Sequence, residues 1–207
     1  MTESTQRIVG IVGMIGAGKT TVARQLADRG AVVIDADRLA HEALDDPAVR
    51  DRIVAAFGPA VLLPTGQIDR RQLAGLVFGP EPAQRRRLAS LEAVVHPWVR
   101  AAIDQQLTAL AASGRVVILD VPLLVQGGWH TRCDRLIQLK CEDSVRHARL
   151  AARGLAPTEI AAREAAWQNR YDPGVIADRP GWTVDTSGDL AYTHAQVDRV
   201  WTELTNQ

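Results

Sequence analysis

Lysine is nearly missing from this chain: its 207 residues include 22 arginines but only two lysines, Lys19 and Lys140. Charge imbalance is missing too, since 24 basic and 24 acidic residues give a formal net charge of zero. That balance speaks against a nucleic-acid partner, because binders of the phosphate backbone carry a net basic face. Cysteine is scarce. Cys133 and Cys141 show neither the C-x2-C spacing of a metal site nor a disulfide framework, which suits a reducing compartment. No apolar run approaches the roughly 18 residues that a membrane span needs. The opening Met-Thr-Glu-Ser-Thr-Gln-Arg lacks the apolar core of a secretory leader. Repeats and low-complexity tracts are also absent. These absences lead us to expect a cytoplasmic protein with no membrane and no nucleic-acid partner, its oligomeric state left open. At 46% apolar content the chain can build the core of one domain, 1–207.

One of the two lysines lies in the most informative stretch. Residues 7–20 read Arg-Ile-Val-Gly-Ile-Val-Gly-Met-Ile-Gly-Ala-Gly-Lys-Thr. An apolar strand at 8–12 runs into Gly13-x4-Gly18-Lys19-Thr20, the strand–glycine loop–helix pattern of a P-loop. Backbone N–H groups in such a loop point inward and form a nest for phosphate oxygens, and its glycines allow positive φ. Lys19 is placed to reach the β- and γ-phosphates and Thr20 to offer its hydroxyl to Mg²⁺. The helix that follows aims its positive end at the same place. A chain that uses arginine almost everywhere yet keeps lysine here is using it as a point charge for phosphate.

The rest of the pattern alternates strand and helix. Strands are expected at 8–12, 31–34, 116–119, 135–139 and 182–184, and helices at 19–29, 142–153, 157–170 and 190–204. In the first helix Val22, Ala23, Leu26 and Ala27 make the apolar stripe and Gly30 the stop. In the last, Leu190, Val197, Val200 or Trp201, and Leu204 share a face. Between the second and third strands lies a purely helical block, with helices at 38–44, 47–57, 72–78 and 83–112. It is broken at Gly58-Pro59, Pro64-Thr65-Gly66 and Gly79-Pro80-Glu81-Pro82. The expected fold class is α/β, a P-loop NTPase fold with a parallel sheet flanked by helices, a helical insertion and a small lid. Ligands in such sheets lie at the carboxyl ends of the strands, where Gly13–Thr20, Asp35, Asp37 and Asp120 should converge.

Each polar candidate there has two readings. Asp35 and Asp37, two apart in extended chain, face the same way. Either can take the proton of an attacking hydroxyl or hold a water of the Mg²⁺ shell; alternatively, Asp37 caps a helix starting at Arg38. His41 follows Asp37 by one helical turn and reads alone as a surface histidine. Asp120, closing Val116-Val-Ile-Leu119, sits where P-loop enzymes keep a Mg²⁺-side aspartate, or is a turn carboxylate. Arg146, Arg149 and Arg153 share one helical face. They are either solvated or a clamp on the transferring phosphoryl group, with Arg149 and Arg153 the better placed. Glycines and prolines across 154–181 suit a segment that closes over the site.

Taken in order, these segments resemble the dephospho-CoA kinase family over nearly the whole chain. Gly13-Met-Ile-Gly-Ala-Gly-Lys-Thr20 is similar to its loop, and Ile34-Asp-Ala-Asp37 with His41 to its "I-D-A-D" and following basic residue. The run from Arg71 and Leu73 to Val77-Phe78, and Leu91-Glu-Ala-Val-Val-His96-Pro97, resemble two further family segments. So do Asp120-Val-Pro122-Leu123-Leu124 and Val184-Asp-Thr-Ser-Gly188. The resemblance implies ATP- and Mg²⁺-dependent phosphorylation of the ribose 3′-hydroxyl of dephospho-CoA, the last step of coenzyme A biosynthesis. It implies a core of 7–37, 115–145 and 182–207, an acceptor-binding insertion at about 38–112 and a lid at about 146–175. Asp37, Lys19 and Arg149 are then catalytic. Gly13, Gly16, Ala17, Gly18, Lys19, Thr20, Thr21, Arg149 and Arg153 bind ATP, and Thr20 and Asp120 hold the metal. Asp35, Asp37, His41, Arg71, His96, Pro122, Leu123 and Leu124 face the acceptor. Three places depart from the family: Gln126 replaces its usual Glu, Met14 replaces a loop glycine, and 177–182 is less regular than its "A-D-x-V-I". Another small-molecule or nucleoside monophosphate kinase, or an ATP-binding regulator without transfer, are the competing readings.

Overall fold

The computed structural model describes residues 7–79, 81–122, 124–168, 174 and 181–206. In chain order they form β1 (Arg7–Val12), α1 (Lys19–Asp28), β2 (Val32–Asp35), α2 (Ala36–Ala43), α3 (Pro47–Phe57), α4 (Arg70–Val77) and α5 (Pro82–Leu110). Then come β3 (Val116–Asp120), β4 (Arg135–Lys140), α6 (Asp143–Ala152), α7 (Pro157–Gln168), β5 (Gly181–Asp185) and α8 (Leu190–Thr205). Two compact units result: a sheet unit, reaching Asp35 and resuming at Ala109, and a helical unit, Ala36–Thr108.

In the sheet unit all five strands pair in parallel, in the order β2-β3-β1-β4-β5. The central strands read as unbroken apolar runs because both faces are covered; every residue of β3 is buried. One face packs Val9, Ile11, Ile118 and Ile137 against α1 and α8. On the other, a Cβ added at Gly10 would come 2.8 Å from both Cys133 Sγ and Leu124 Cδ1, so the β3–β4 connection lies directly on β1. The expected stripe of α1 is buried at Val22, Ala23 and Leu26. The helix ends as expected at Gly30, whose N–H donates to Ala27 O at 2.9 Å while Ala31 N–H donates to Leu26 O at 3.1 Å. On α8, Val197, Val200 and Leu204 are buried, but Leu190 is 63% exposed. It is the first residue after the Asp189 cap. Gln196 takes a buried place instead, accepting from Asp185 N–H at 2.9 Å and donating to Asp185 O at 2.7 Å.

The helical unit is organised by α5, whose Val94, Val95, Val99, Ile103 and Leu107 are buried. That stripe carries the helix through Pro97, where the missing N–H costs about 3 kcal/mol. Asp46 caps α3, accepting from Ala48 N–H at 2.9 Å and Val49 N–H at 3.0 Å. Its other oxygen accepts from Trp98 Nε1 of α5 at 3.0 Å, so one carboxylate starts a helix and ties it to its neighbour. The Val49 N–H and then Trp98 hold this carboxyl below the ordinary aspartate range, against a smaller opposing effect of burial.

Several boundaries differ from expectation. Helix α2 begins at Ala36, directly after the Asp35 pair that closes β2. Asp37 therefore lies in the first helical turn rather than in extended chain, and it is not the cap of a helix starting at Arg38. Helix α4 begins two residues early because Asp69 accepts from Gln72 N–H at 3.0 Å. Strand β5 gains a residue at each end through pairing with β4.

Candidate active site

The parallel register brings the carboxyl ends of the strands to one edge. Asp35 pairs with Asp120, and β3 lies beside β1, so Asp120 ends the strand next to the one that feeds the glycine loop and Asp35 the strand beyond it. Val12 pairs with Gln138 and Lys140 with Asp185, which brings 141–142 and 186–187 to the same edge.

The loop turns through Gly16 and Gly18 at φ 81° and 88°, in the left-handed region that side chains avoid. Ala17 N–H donates to Met14 O at 3.1 Å and Val22 N–H to Gly18 O at 3.1 Å, so the turn leads straight into α1. Lys19 Nζ folds back to donate to Gly13 O at 2.8 Å and Met14 O at 3.3 Å, a tether that holds its charge over the loop. Thr20 is exposed and Thr21 half-buried in the first turn of α1. Asp120, at the end of β3, is 9% exposed.

The three arginines of α6 do not act alike. Arg149 donates to Thr186 O at 2.7 Å and to Cys141 Sγ at 3.4 Å. Arg153 is the exposed C-cap residue. Both line a cavity of about 340 Å³ with Gly16, Gly18, Thr21 and Thr186. Arg146, expected on the same phosphate-facing row, is instead only 2% exposed and paired with Asp143 and Glu164. Two carboxylates satisfy its charge, so like-charge repulsion along the row does not arise.

Thr186 is absent from the site residues expected from sequence, although its motif is among the resembling segments. Its buried hydroxyl shares its one proton between two carbonyls, Ala17 O at 2.9 Å and Lys140 O at 3.1 Å, and its own carbonyl accepts from Arg149. One threonine thus joins the loop, the end of β4 and α6. Beside it, Asp185 accepts from Ser187 Oγ at 2.6 Å and Ser187 N–H at 2.9 Å, which keeps its carboxyl below the ordinary range. A second cavity, of about 590 Å³, opens between Gly13, Met14, Glu142, Trp167 and Ser187. Gln126 Nε2 donates to Trp167 O at 3.4 Å, a bond that the usual carboxylate at this position could not donate.

Of the residues expected on the acceptor side, Asp35 is half-buried at its strand end and Pro122 is exposed. Leu124 is 3% exposed and packs into the sheet. Leu123, and residues 177–180 of the irregular segment, lie outside the described residues. Asp37, His41, Arg71 and His96 are exposed on α2, α4 and α5 of the helical unit.

A parallel sheet of this order, with its loop of positive-φ glycines and returning lysine, defines a P-loop kinase fold. A sequence model of the family described as dephospho-CoA kinase matches residues 7–179. The chain belongs to the dephospho-CoA kinase family. It is 42% identical over 198 residues to a dephospho-CoA kinase of Symbiobacterium thermophilum, covering 94% of this chain and 80% of that one. A crystal structure of a Thermus thermophilus protein matches at TM-score 0.72 and 34% identity, covering 97% of this chain and 98% of the other. A dephospho-CoA kinase from Campylobacter jejuni shares the fold at TM-score 0.70 and 21% identity, covering 98% and 99% of the two chains. Among the described residues no helix is long and apolar enough to cross a membrane.

Proposed function

We propose that this chain transfers the γ-phosphoryl group of ATP to the ribose 3′-hydroxyl of dephospho-CoA, giving coenzyme A and ADP in the cytoplasm. The observation that carries this reading is the loop itself. Gly16 and Gly18 turn through positive φ, and Lys19 is tethered over the loop by the Gly13 and Met14 carbonyls, in a chain of this family. In the reaction the acceptor O–H bond breaks and its proton passes to the Asp37 carboxylate. The acceptor oxygen bonds to the γ-phosphorus as the bridge to the β-phosphate breaks and ADP leaves. Lys19, Arg149 and Arg153 spread the charge that develops on the transferring group.

Backbone N–H groups of Gly13–Thr21 cradle the phosphates, and the cavity between Thr21, Thr186 and Arg149 takes the nucleotide end of the donor. Mg²⁺ bound through phosphates needs only one or two protein oxygens. The Thr20 hydroxyl and the Asp120 carboxylate, both hard oxygen donors at the sheet edge, fit that need. A bound Mg²⁺ would withdraw charge from the β- and γ-phosphates. The 38–112 region supplies the acceptor face through His41, Arg71 and His96, with Asp35 at the end of β2 and Pro122 just after β3. Residues 146–175 serve as the lid.

Purified protein given ATP, Mg²⁺ and dephospho-CoA should release ADP and yield a 3′-phosphorylated product, read by coupled assay and mass spectrometry. Phosphorylation of a nucleoside monophosphate with dephospho-CoA left untouched would overturn the reading.

A further inference from the structure

We propose that Arg146 is a positioning residue for the phosphate loop: it fixes the Ile15–Gly16 peptide so that the loop's nest is formed before ATP arrives. This rests on reading 13–20 as a phosphate loop. Arg146 Nη1 donates to Ile15 O at 3.3 Å, and Nη2 donates to Asp143 Oδ1 at 2.7 Å. Nη1 also pairs with Glu164, which reaches across from α7 and itself bonds His147 Nε2 at 2.8 Å. The guanidinium is therefore gripped from two sides by carboxylates, and the Nη1 that pairs with Glu164 also reaches one loop carbonyl.

The loop is seated on the same helix. A Cβ added at Gly16 would lie 2.9 Å from Arg146 Cγ and 3.0 Å from Leu150 Cγ. In a trans peptide the carbonyl of one residue and the N–H of the next point in opposite directions. Holding Ile15 O outward against Arg146 therefore turns Gly16 N–H toward the concave side of the loop, where a nest needs it. Burial works against a charged guanidinium, yet the Asp143 and Glu164 carboxylates outweigh it and raise its pKa. The arginine stays charged, with its guanidinium turned to two carboxylates and a loop carbonyl. Arg149 and Arg153 meet the donor; Arg146 shapes what the donor meets.

The test compares wild type with Arg146→Lys and Glu164→Gln. Titration calorimetry would measure ATP affinity, steady-state kinetics would separate the KM of each substrate, and amide NMR would follow Gly16. Arg146→Lys cannot fork between carbonyl and carboxylates, and it should weaken ATP binding about tenfold, the scale of one charge-assisted hydrogen bond. Glu164→Gln should weaken it about threefold by loosening the grip. In both, the KM for dephospho-CoA should stay within about twofold and the Gly16 amide resonance should shift before ATP is added. ATP affinity unchanged in both variants, or both KM values rising in parallel, would overturn the role. If Arg146→Lys does not fold, Glu164→Gln carries the same readouts. Wild-type protein that fails to bind ATP would refute the loop reading instead. Wild-type protein that binds ATP but ignores dephospho-CoA would refute only the acceptor, leaving Arg146 to be judged by its own variants.

Discussion

In the sheet unit, Lys19, Arg149 and Thr186 each donate to a main-chain carbonyl, those of Gly13, Thr186 and Ala17. In the helical unit, Asp37, His41, Arg71 and His96 are exposed side chains on three different helices. The contrast teaches where preorganisation is built in. Groups that stabilise charge on a transferring phosphoryl act best when already oriented, and the backbone orients the donor side. On the proposed reading, the acceptor side takes its geometry from what binds to it. If so, substitutions in the two units should fail differently, one in chemistry alone and the other in donor binding as well.

The largest effect should come from the helical unit. Asp37→Asn keeps the shape and the helix position but removes the base, so kcat should fall by about 10²–10⁴-fold. ATP affinity should remain within about twofold, because the donor side is untouched. Rapid-quench kinetics beside calorimetry check both numbers, and near-normal turnover would remove Asp37 from the chemistry. Next is Lys19→Ala in the sheet unit, with an expected loss of about 10²–10³-fold in kcat, the scale for deleting one group that stabilises developing charge. Here ATP affinity should fall as well. Its circular dichroism spectrum and melting point should stay close to wild type, since the ammonium's bonds to the Gly13 and Met14 carbonyls lie within the loop itself. Global unfolding would reassign Lys19 to structure.

A pair of glycines separates packing from backbone strain across the two units. Gly16 and Gly66 share nearly the same φ, 81° and 82°. A Cβ at Gly16 meets Arg146 Cγ at 2.9 Å, whereas one at Gly66 meets nothing within 4 Å. Gly66→Ala should therefore cost about 1 kcal/mol, the left-handed backbone term alone. Gly16→Ala should cost about 2–4 kcal/mol, the same term plus overpacking, and should weaken ATP binding. Chemical denaturation of both variants gives the difference directly. Equal costs would mean that the loop is not seated on α6.

Much of the sheet unit was legible in the sequence because each signal there is local. A glycine loop after an apolar strand, Gly30 after α1 and an aspartate closing β3 all act within a few residues of themselves. The role of Arg146 is illegible for the opposite reason. Its neighbours on the helix face, Arg149 and Arg153, are visible by spacing, while its partner Glu164 comes from the next helix, and no periodicity reports that pairing. Leu190 failed similarly: the stripe rule counts spacing and does not see that Gln196, bonded to both main-chain groups of Asp185, holds the buried place. In the helical unit, the Asp69 cap set the start of α4 two residues earlier than hydrophobic spacing does. Thr186 is one letter of a motif in the sequence, and only the fold sets its hydroxyl between Ala17 O and Lys140 O.

The smallest predicted effect uses acidity to compare the units once more. Glu164 in the sheet unit is pushed up by burial but held below its ordinary pKa on balance by His147 and Arg146. Asp46 in the helical unit is held below its own by Val49 N–H and Trp98. A depressed folded pKa means that the unfolded chain takes up protons first, so the stabilisation is whole above the unfolded value. It is lost as pH falls through the folded one. Glu164→Gln and Asp46→Asn should each lower the melting point at pH 7, and each difference from wild type should shrink below about pH 4. Asparagine can still cap α3, but its amide nitrogen would face the Trp98 N–H donor, so the Asp46 variant isolates the tie to α5. Melting curves of the three proteins between pH 7 and about pH 3.5 give the comparison. A difference that persists unchanged at the acid end would mean that side-chain shape, and not the carboxylate charge, holds α7 to α6 and α5 to α3.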